Sequence, residues 1–95
     1  MFVIELIYKK PLSEIDQHLV AHRLFLQKYY DTGVFIASGP KNPRNGGIII
    51  ALAKDQNTLE TIIQQDPFYQ YHLADYRYIS FNPIKICPAL ESLLK

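Results

Sequence analysis

Four short segments of the chain carry the apolar, β-branched and aromatic residues that are typical of β-strands. They cover residues 2–8, 34–38, 48–53 and 75–81. Between the first two, apolar residues recur with the helical period over residues 13–31, and a second helix is predicted over residues 57–65. A short helical segment follows at Asp66-Pro67, because Asp suits an N-cap and Pro suits the first helical position.

Polar residues and a glycine mark the expected ends of the two longer helices. Ser13 with Asp16 is an acceptable capping pair for the first helix, and Asn57 with Glu60 is the equivalent pair for the second. Gly33 is expected at the C′ position after the first helix. The first helix is therefore predicted to run without a break between its two end signals.

The order strand, helix, strand, strand, helix, strand predicts an α+β fold of the ferredoxin-like, split βαβ type. It has a four-stranded antiparallel sheet with both helices on one face, since right-handed crossovers place them on the same side. The chain of 95 residues is expected to form a single domain over residues 1–95.

The sheet face that the helices leave bare is expected to be rich in apolar residues. In the third strand both alternating sets of side chains are apolar, and in the first strand the second set is Val3, Glu5 and Ile7. An exposed apolar face of roughly several hundred Å² usually marks an interface, so a homodimer that packs sheet against sheet is predicted. The tail from about residue 84 is a further candidate for this interface. In the alternative interpretation, the tail alone folds back over the sheet.

Composition and charge restrict the partners and the compartment. Hydrophobic residues make up 48% of the chain, the formal charge is +1, and no basic cluster suggests binding to nucleic acid. The longest apolar run, residues 47–53, is too short to span a membrane, and the first residues lack the features of a signal peptide. Cys87 is the single cysteine, so no intrachain disulfide can form and a cytoplasmic location is expected.

His22 is the least expected residue of the first helix. It falls on the stripe of apolar residues that faces the core, with Leu19 and Leu26 about one turn away on either side. A buried imidazole loses hydration unless it is hydrogen-bonded. His22 is therefore either a satisfied core histidine or a general acid or base with an acceptor beside it. Asp66 is the candidate acceptor, although Asp before Pro is also an ordinary helix cap.

Further candidate ligand contacts lie after the second strand and after Asp66. They are Ser38, Gly39, Pro40, Arg44, Phe68 and Tyr69. Gly39 allows a ligand close to the backbone, Ser38 offers a hydroxyl group, and Arg44 would receive an anionic substrate. The alternatives are an ordinary turn, solvated loop charges and aromatic packing.

The sequence predicts neither a metal nor a cofactor. His18 and His22 are four residues apart, but the HExxH pattern and a third ligand at a useful spacing are missing. The GxSxG, P-loop and GxGxxG patterns are missing as well. Cys87 has no nearby His in the sequence, so a cysteine nucleophile is not expected.

Several segments together resemble the YciI-like family of small proteins. They are His22-Arg23 with Phe25-Leu26, Gly33 with Ala37-Ser38-Gly39-Pro40, Gly46-Gly47, Asp66-Pro67-Phe68, and the strand from Tyr76 to Pro83. The resemblance implies a ferredoxin-like domain that pairs into a dimeric α/β barrel, with a pocket built around a histidine and an aspartate. These correspond to His22 and Asp66. The loop between Pro40 and Ile48 is shorter than in better-known members.

The resemblance also suggests a type of reaction, since one relative eliminates chloride from a hydroxylated aromatic ring. The preferred hypothesis is a cofactor-independent lyase or isomerase that moves protons on a small cyclic or carbonyl compound. His22 would be the general acid or base, Asp66 would orient it, and Ser38 with the Gly39 amide would bind a developing oxyanion. The alternatives are a non-catalytic module that binds a metabolite or a partner protein, and a purely structural dimer.

Overall fold

The computed structural model describes residues 1–94, which form one four-stranded sheet and the helices packed on it. The strands are β1 (Phe2–Tyr8), β2 (Phe35–Pro40), β3 (Gly46–Ala51) and β4 (Ala74–Ser80). The helices are α1 (Leu12–Gln17), α2 (Leu19–Asp31), α3 (Gln56–Ile63), α4 (Pro67–Gln70) and α5 (Pro88–Leu94). The strand order is β2-β3-β1-β4, and each neighbouring pair is antiparallel. This topology confirms the predicted ferredoxin-like α+β fold.

Two helix starts differ from the prediction. The first helical region is interrupted at His18, whose backbone angles of φ −110° and ψ 7° separate α1 from α2. Pro11, rather than Ser13, is the N-cap of α1, and no side chain caps that end. At α3 the N-cap is Asp55, whose carboxylate accepts the Thr58 amide at 2.9 Å, so the predicted cap at Asn57 is wrong. These hydrogen bonds hold the pKa of Asp55 below its ordinary value.

Two other predicted ends are confirmed. Gly33 follows α2 with φ +81°, a left-handed conformation that glycine adopts without steric cost. Asp66 caps α4 and Pro67 is at the first helical position. The Asp66 side chain accepts the Phe68 amide. The position of Asp66 between α3 and α4 is thus fixed by local sequence.

The core lies between the helices and one face of the sheet. On β1 the alternate residues Phe2, Ile4 and Leu6 are buried, while Val3 and Glu5 on the other face are only half-buried. The buried side chains of β1 pack with those of the helices, including Ile15 of α1 and Leu59 of α3. The alternation therefore fixes which face of the sheet receives the helices.

The opposite face of the sheet is mixed rather than wholly apolar. Ile48 and Ile50 are half-buried there, and Ile79 is 43% exposed. Between them Glu5 accepts a hydrogen bond from Lys41 at 3.2 Å and lies 4.0 Å from Arg77. This face therefore carries charged as well as aliphatic side chains, which differs from the wholly apolar face that the third strand predicted.

The tail does not bury its apolar residues within one chain. Ile84 is 96% exposed and Leu93, in α5, is 80% exposed. Ile86, Leu90 and Leu94 of the same tail are half-buried, so the alternative in which the tail folds back over the sheet stays a prediction. Over residues 1–94, no helix has both the length and the apolar character needed to cross a membrane.

Candidate active site

A cavity of about 400 Å³ lies beside α2 and the ends of β2 and β3. Its apolar wall is formed by Leu6, Leu19, Leu26, Ile49 and Phe68. Its polar lining includes Tyr8, His22, Arg23, Ser38 and Arg44. An apolar cavity with a few converging polar groups is the usual form of a small-molecule site.

His22 and Asp66 meet at the back of this cavity. His22 Nδ1 lies 2.7 Å from Asp66 Oδ1, although the two residues are 44 positions apart in the sequence. His22 is 8% exposed and Asp66 is completely buried. The His22 ring stacks on Phe68 with a centroid separation of 3.9 Å and an interplanar angle of 2°. Phe68 therefore fixes the plane of the His22 ring, and Asp66 fixes the direction in which Nδ1 points within that plane.

The Asp66 carboxylate has three hydrogen-bond partners. Its Oδ1 atom accepts a hydrogen bond from the Phe68 amide at 3.0 Å and also lies within hydrogen-bond distance of His22. Its Oδ2 atom accepts a hydrogen bond from the Tyr76 hydroxyl at 2.7 Å. An ionised carboxylate only accepts hydrogen bonds, so it selects the tautomer of His22 that carries its proton on Nδ1. The other ring nitrogen, Nε2, then has a free lone pair and makes no hydrogen bond with residues 1–94.

Ser38 lies on the cavity wall with a partner that the sequence did not suggest. The Ser38 Oγ atom is 2.6 Å from the Tyr30 hydroxyl, and either group can be the donor. Gly39 and Pro40 line the same cavity. In the β2–β3 ladder Gly39 is opposite Ile48. Two residues further along β2, the Lys41 amide donates a hydrogen bond to the carbonyl oxygen of Gly46. Hydrogen-bonded pairs recur at every second residue of an antiparallel ladder. We therefore infer that the Gly39 amide donates its hydrogen bond to β3, and that it is not available for the oxyanion contact predicted from the sequence.

Two arginines and one aspartate determine the charge at the cavity mouth. The Arg44 guanidinium donates to Asp16, which lowers the pKa of that carboxyl and raises the pKa of Arg44. Arg23 lines the same cavity and forms no ion pair within the described part of the chain. The mouth therefore carries one positive charge that Asp16 does not balance.

Tyr69 is placed away from the other predicted contacts. It is 44% exposed and lines a second cleft with Tyr76 and Tyr78, on the side of β4 that faces α3 and α4. Of the two predicted aromatic contacts, Phe68 therefore lines the main cavity and Tyr69 does not. Burial raises the pKa of Tyr78 to about 12, and burial together with the Asp66 charge raises the pKa of Tyr76 further.

No three His, Cys, Asp or Glu side chains in residues 1–94 come close enough together to hold a metal ion. His18 stacks on Tyr71, with ring centroids 4.2 Å apart, instead of joining His22. Cys87 is exposed and unpaired. Neither of these residues contributes to the cavity.

Sequence reasoning missed Tyr76, Tyr30 and Arg23, and strand register explains the first two. Tyr76 is opposite Leu6 in the sheet, so its side chain is on the helix-covered face and reaches Asp66. Ser38 is opposite Ile49, which directs its hydroxyl towards α2 and Tyr30. Arg23 follows His22 directly, and the signals available for it were that adjacency and the His22-Arg23 pair in the family resemblance.

The sequence profile of the YCII-related domain matches residues 1–82. The chain belongs to this family. Among solved structures it is similar to 5-chloro-2-hydroxyhydroquinone dehydrochlorinase (TftG) from Burkholderia phenoliruptrix AC1100, in complex with 2,5-dihydroxybenzoquinone. The TM-score is 0.71 at 16% identity, over 86% of this chain and 94% of that chain. At that identity the likeness shows a shared fold. No curated protein matches the chain.

Proposed function

We propose that this member of the YCII-related family is a cofactor-independent lyase or isomerase that moves protons on a small cyclic or carbonyl compound. The observation that carries the proposal is the His22–Asp66 contact of 2.7 Å at the wall of a cavity of about 400 Å³. A cavity of this size fits one substituted ring. Cys87 is an exposed free thiol, which agrees with a reducing, cytoplasmic location.

In the proposed mechanism, His22 Nε2 accepts a proton from the substrate and later returns one. Asp66 is fully buried beside Nδ1, so its charge stabilises the imidazolium that forms. Ser38 lines the cavity and is the proposed donor to an oxygen that becomes negative, with its hydroxyl group held by the Tyr30 hydroxyl behind it. Positive charge from Arg23, which lines the cavity and has no carboxylate within ion-pair distance among the described residues, supports the same anion.

The dehydrochlorinase with this fold supports an elimination as the reaction to test first. When a chlorinated hydroquinone loses HCl, the C–Cl bond is replaced by a C–H bond and the diol becomes a quinone. One hydroxyl proton moves to the ring carbon, the other leaves with chloride, and no outside oxidant is needed. One histidine that alternates between base and acid can carry out both proton transfers, while chloride leaves with the electron pair of the C–Cl bond.

The proposal is tested by supplying 5-chloro-2-hydroxyhydroquinone without oxygen and measuring chloride release. A panel of hydroxylated arenes and 1,3-dicarbonyl compounds in D₂O gives a second readout, since reversible proton transfer exchanges carbon-bound hydrogen for deuterium. We expect saturable turnover in at least one assay, and its loss in the His22→Gln variant. Saturable binding with neither chloride release nor exchange would instead support a non-catalytic binding module.

Arg23 is expected to favour ligands that carry a negative charge. Benzoate and benzamide have nearly the same shape, so their dissociation constants isolate the effect of charge. We expect benzoate to bind about fivefold more tightly, and Arg23→Gln to remove the difference, because an exposed charge pair contributes up to about 1 kcal/mol. Lys54→Gln, at an exposed position that does not line the cavity, is the control. Equal affinities in the unmodified protein would contradict this assignment.

We also propose that the chain forms a homodimer through the bare sheet face, with the tail at the same interface. The support is the half-buried Ile48 and Ile50, together with the exposed Ile84 and Leu93. The solution mass is expected to be twice 11.0 kDa. Ile50→Glu should reduce it to that of one chain, because it places a charge in the interface. Val20→Glu, on the 71% exposed surface of α2, should remain dimeric. A single-chain mass for the unmodified protein would exclude the dimer.

A further inference from the structure

We propose that Tyr76 is a positioning residue for the His22–Asp66 pair, an inference that rests on the proposed function. Its hydroxyl donates to Asp66 Oδ2 at 2.7 Å, on the carboxylate oxygen that His22 does not use. Tyr76 touches neither His22 nor the main cavity through a polar contact, so it would act through Asp66 alone.

The geometry explains why a third group is needed. The Asp66 carboxylate can rotate about its Cβ–Cγ bond, and its cap with the Phe68 amide engages only Oδ1. With Oδ2 fixed by Tyr76, both oxygens have defined partners and Oδ1 remains directed at His22. The three side chains come from α2, the start of α4, and β4, so their alignment joins the helices to the sheet.

Strand pairing makes Tyr76 a rigid anchor. It lies on β4 opposite Leu6, on the face that the helices cover, with its ring beside Tyr69 at a centroid separation of 6.1 Å. A group on a paired strand is located more accurately than one on a loop. Burial and the neighbouring carboxylate raise the pKa of the Tyr76 hydroxyl, so it stays a neutral donor and adds no charge to the site.

Tyr78 provides a matched comparison. It is two residues further along β4 on the same face, and it also lines the second cleft, but its hydroxyl does not bond to Asp66. If Tyr76 only filled space, removal of either hydroxyl group would leave His22 undisturbed. If Tyr76 positions Asp66, only Tyr76→Phe would alter the hydrogen bond between His22 and Asp66.

The test is a long-range ¹H–¹⁵N spectrum of histidine-labelled protein, in which His22 is identified by its absence from the His22→Gln variant. In the unmodified chain and in Tyr78→Phe, His22 should show a slowly exchanging Nδ1 proton. In Tyr76→Phe that proton should exchange with water about tenfold faster or more, because the carboxylate is free to rotate. Identical His22 signals in the two tyrosine variants would overturn the proposal.

Two further measurements separate this inference from the proposed function. If a substrate is found, Tyr76→Phe should lower kcat about tenfold and leave KM within about twofold. The spectrum needs no substrate, so it decides the role of Tyr76 even if the chain proves to be a binding module. If Tyr76→Phe does not fold, the tyrosine hydroxyl protons of the unmodified chain serve instead. The Tyr76 hydroxyl proton, held by Asp66 Oδ2, should exchange with water more slowly than that of Tyr78, and equal exchange rates would overturn the proposal.

Discussion

Replacing His22 by alanine is expected to reduce turnover by about 10²- to 10⁴-fold, which is the usual contribution of a general acid or base. The imidazole is the group at the cavity wall with a free lone pair and a buried carboxylate behind it. The loss should appear in kcat, because the apolar wall that binds the substrate is unchanged. Steady-state kinetics on the substrate found in the chloride or deuterium assay gives the measurement.

His18 supplies the control for this variant. It lies one helical turn before His22, stacks on Tyr71 and does not line the cavity. His18→Ala should therefore retain turnover within about twofold, as expected for a surface change away from the site. Circular dichroism and solution mass should match those of the unmodified chain in both variants. Retained activity in a folded His22→Ala protein would refute the proposed mechanism.

Removing the Asp66 carboxylate is expected to cause the largest loss of stability of any single polar change. Asp66→Ala leaves the Tyr76 hydroxyl, the Phe68 amide and the His22 ring without their buried acceptor. Breaking a buried pair by removing one partner costs about 3–5 kcal/mol in the free energy of unfolding. For a domain of this size such a loss is a large part of the total stability. Urea unfolding followed by circular dichroism measures it.

Asp55 is the matched control, since it also caps a helix through its side chain but lies at the surface. Asp55→Ala should lower the urea midpoint much less than Asp66→Ala. Asp66→Asn should recover part of the stability, because the amide has a similar shape and can still accept from the Phe68 amide. Its activity should stay low, since it lacks the charge that stabilises an imidazolium. Equal midpoints for Asp55→Ala and Asp66→Ala would show that the buried network contributes little.

The periodicity of apolar residues was sufficient to predict the order of the four strands and the antiparallel sheet. It was less reliable at helix ends, where one polar residue competes with its neighbours for the cap. Asp55 caps α3 in place of Asn57 because its carboxylate accepts from both the amide and the hydroxyl group of Thr58. The interruption at His18 left no signal in the apolar spacing, since the stripe continues from α1 into α2.

The sequence by itself also determined that His22 is an unusual residue on a core-facing stripe and that Asp66 begins a short helix. Whether these two residues meet was decided only by the tertiary structure, because 44 positions separate them and no local pattern reports a contact of 2.7 Å. The same holds for Tyr76 and Tyr30, which reach Asp66 and Ser38 through sheet register and helix packing. A periodic pattern records which side of an element is buried, whereas packing alone decides which buried groups become neighbours.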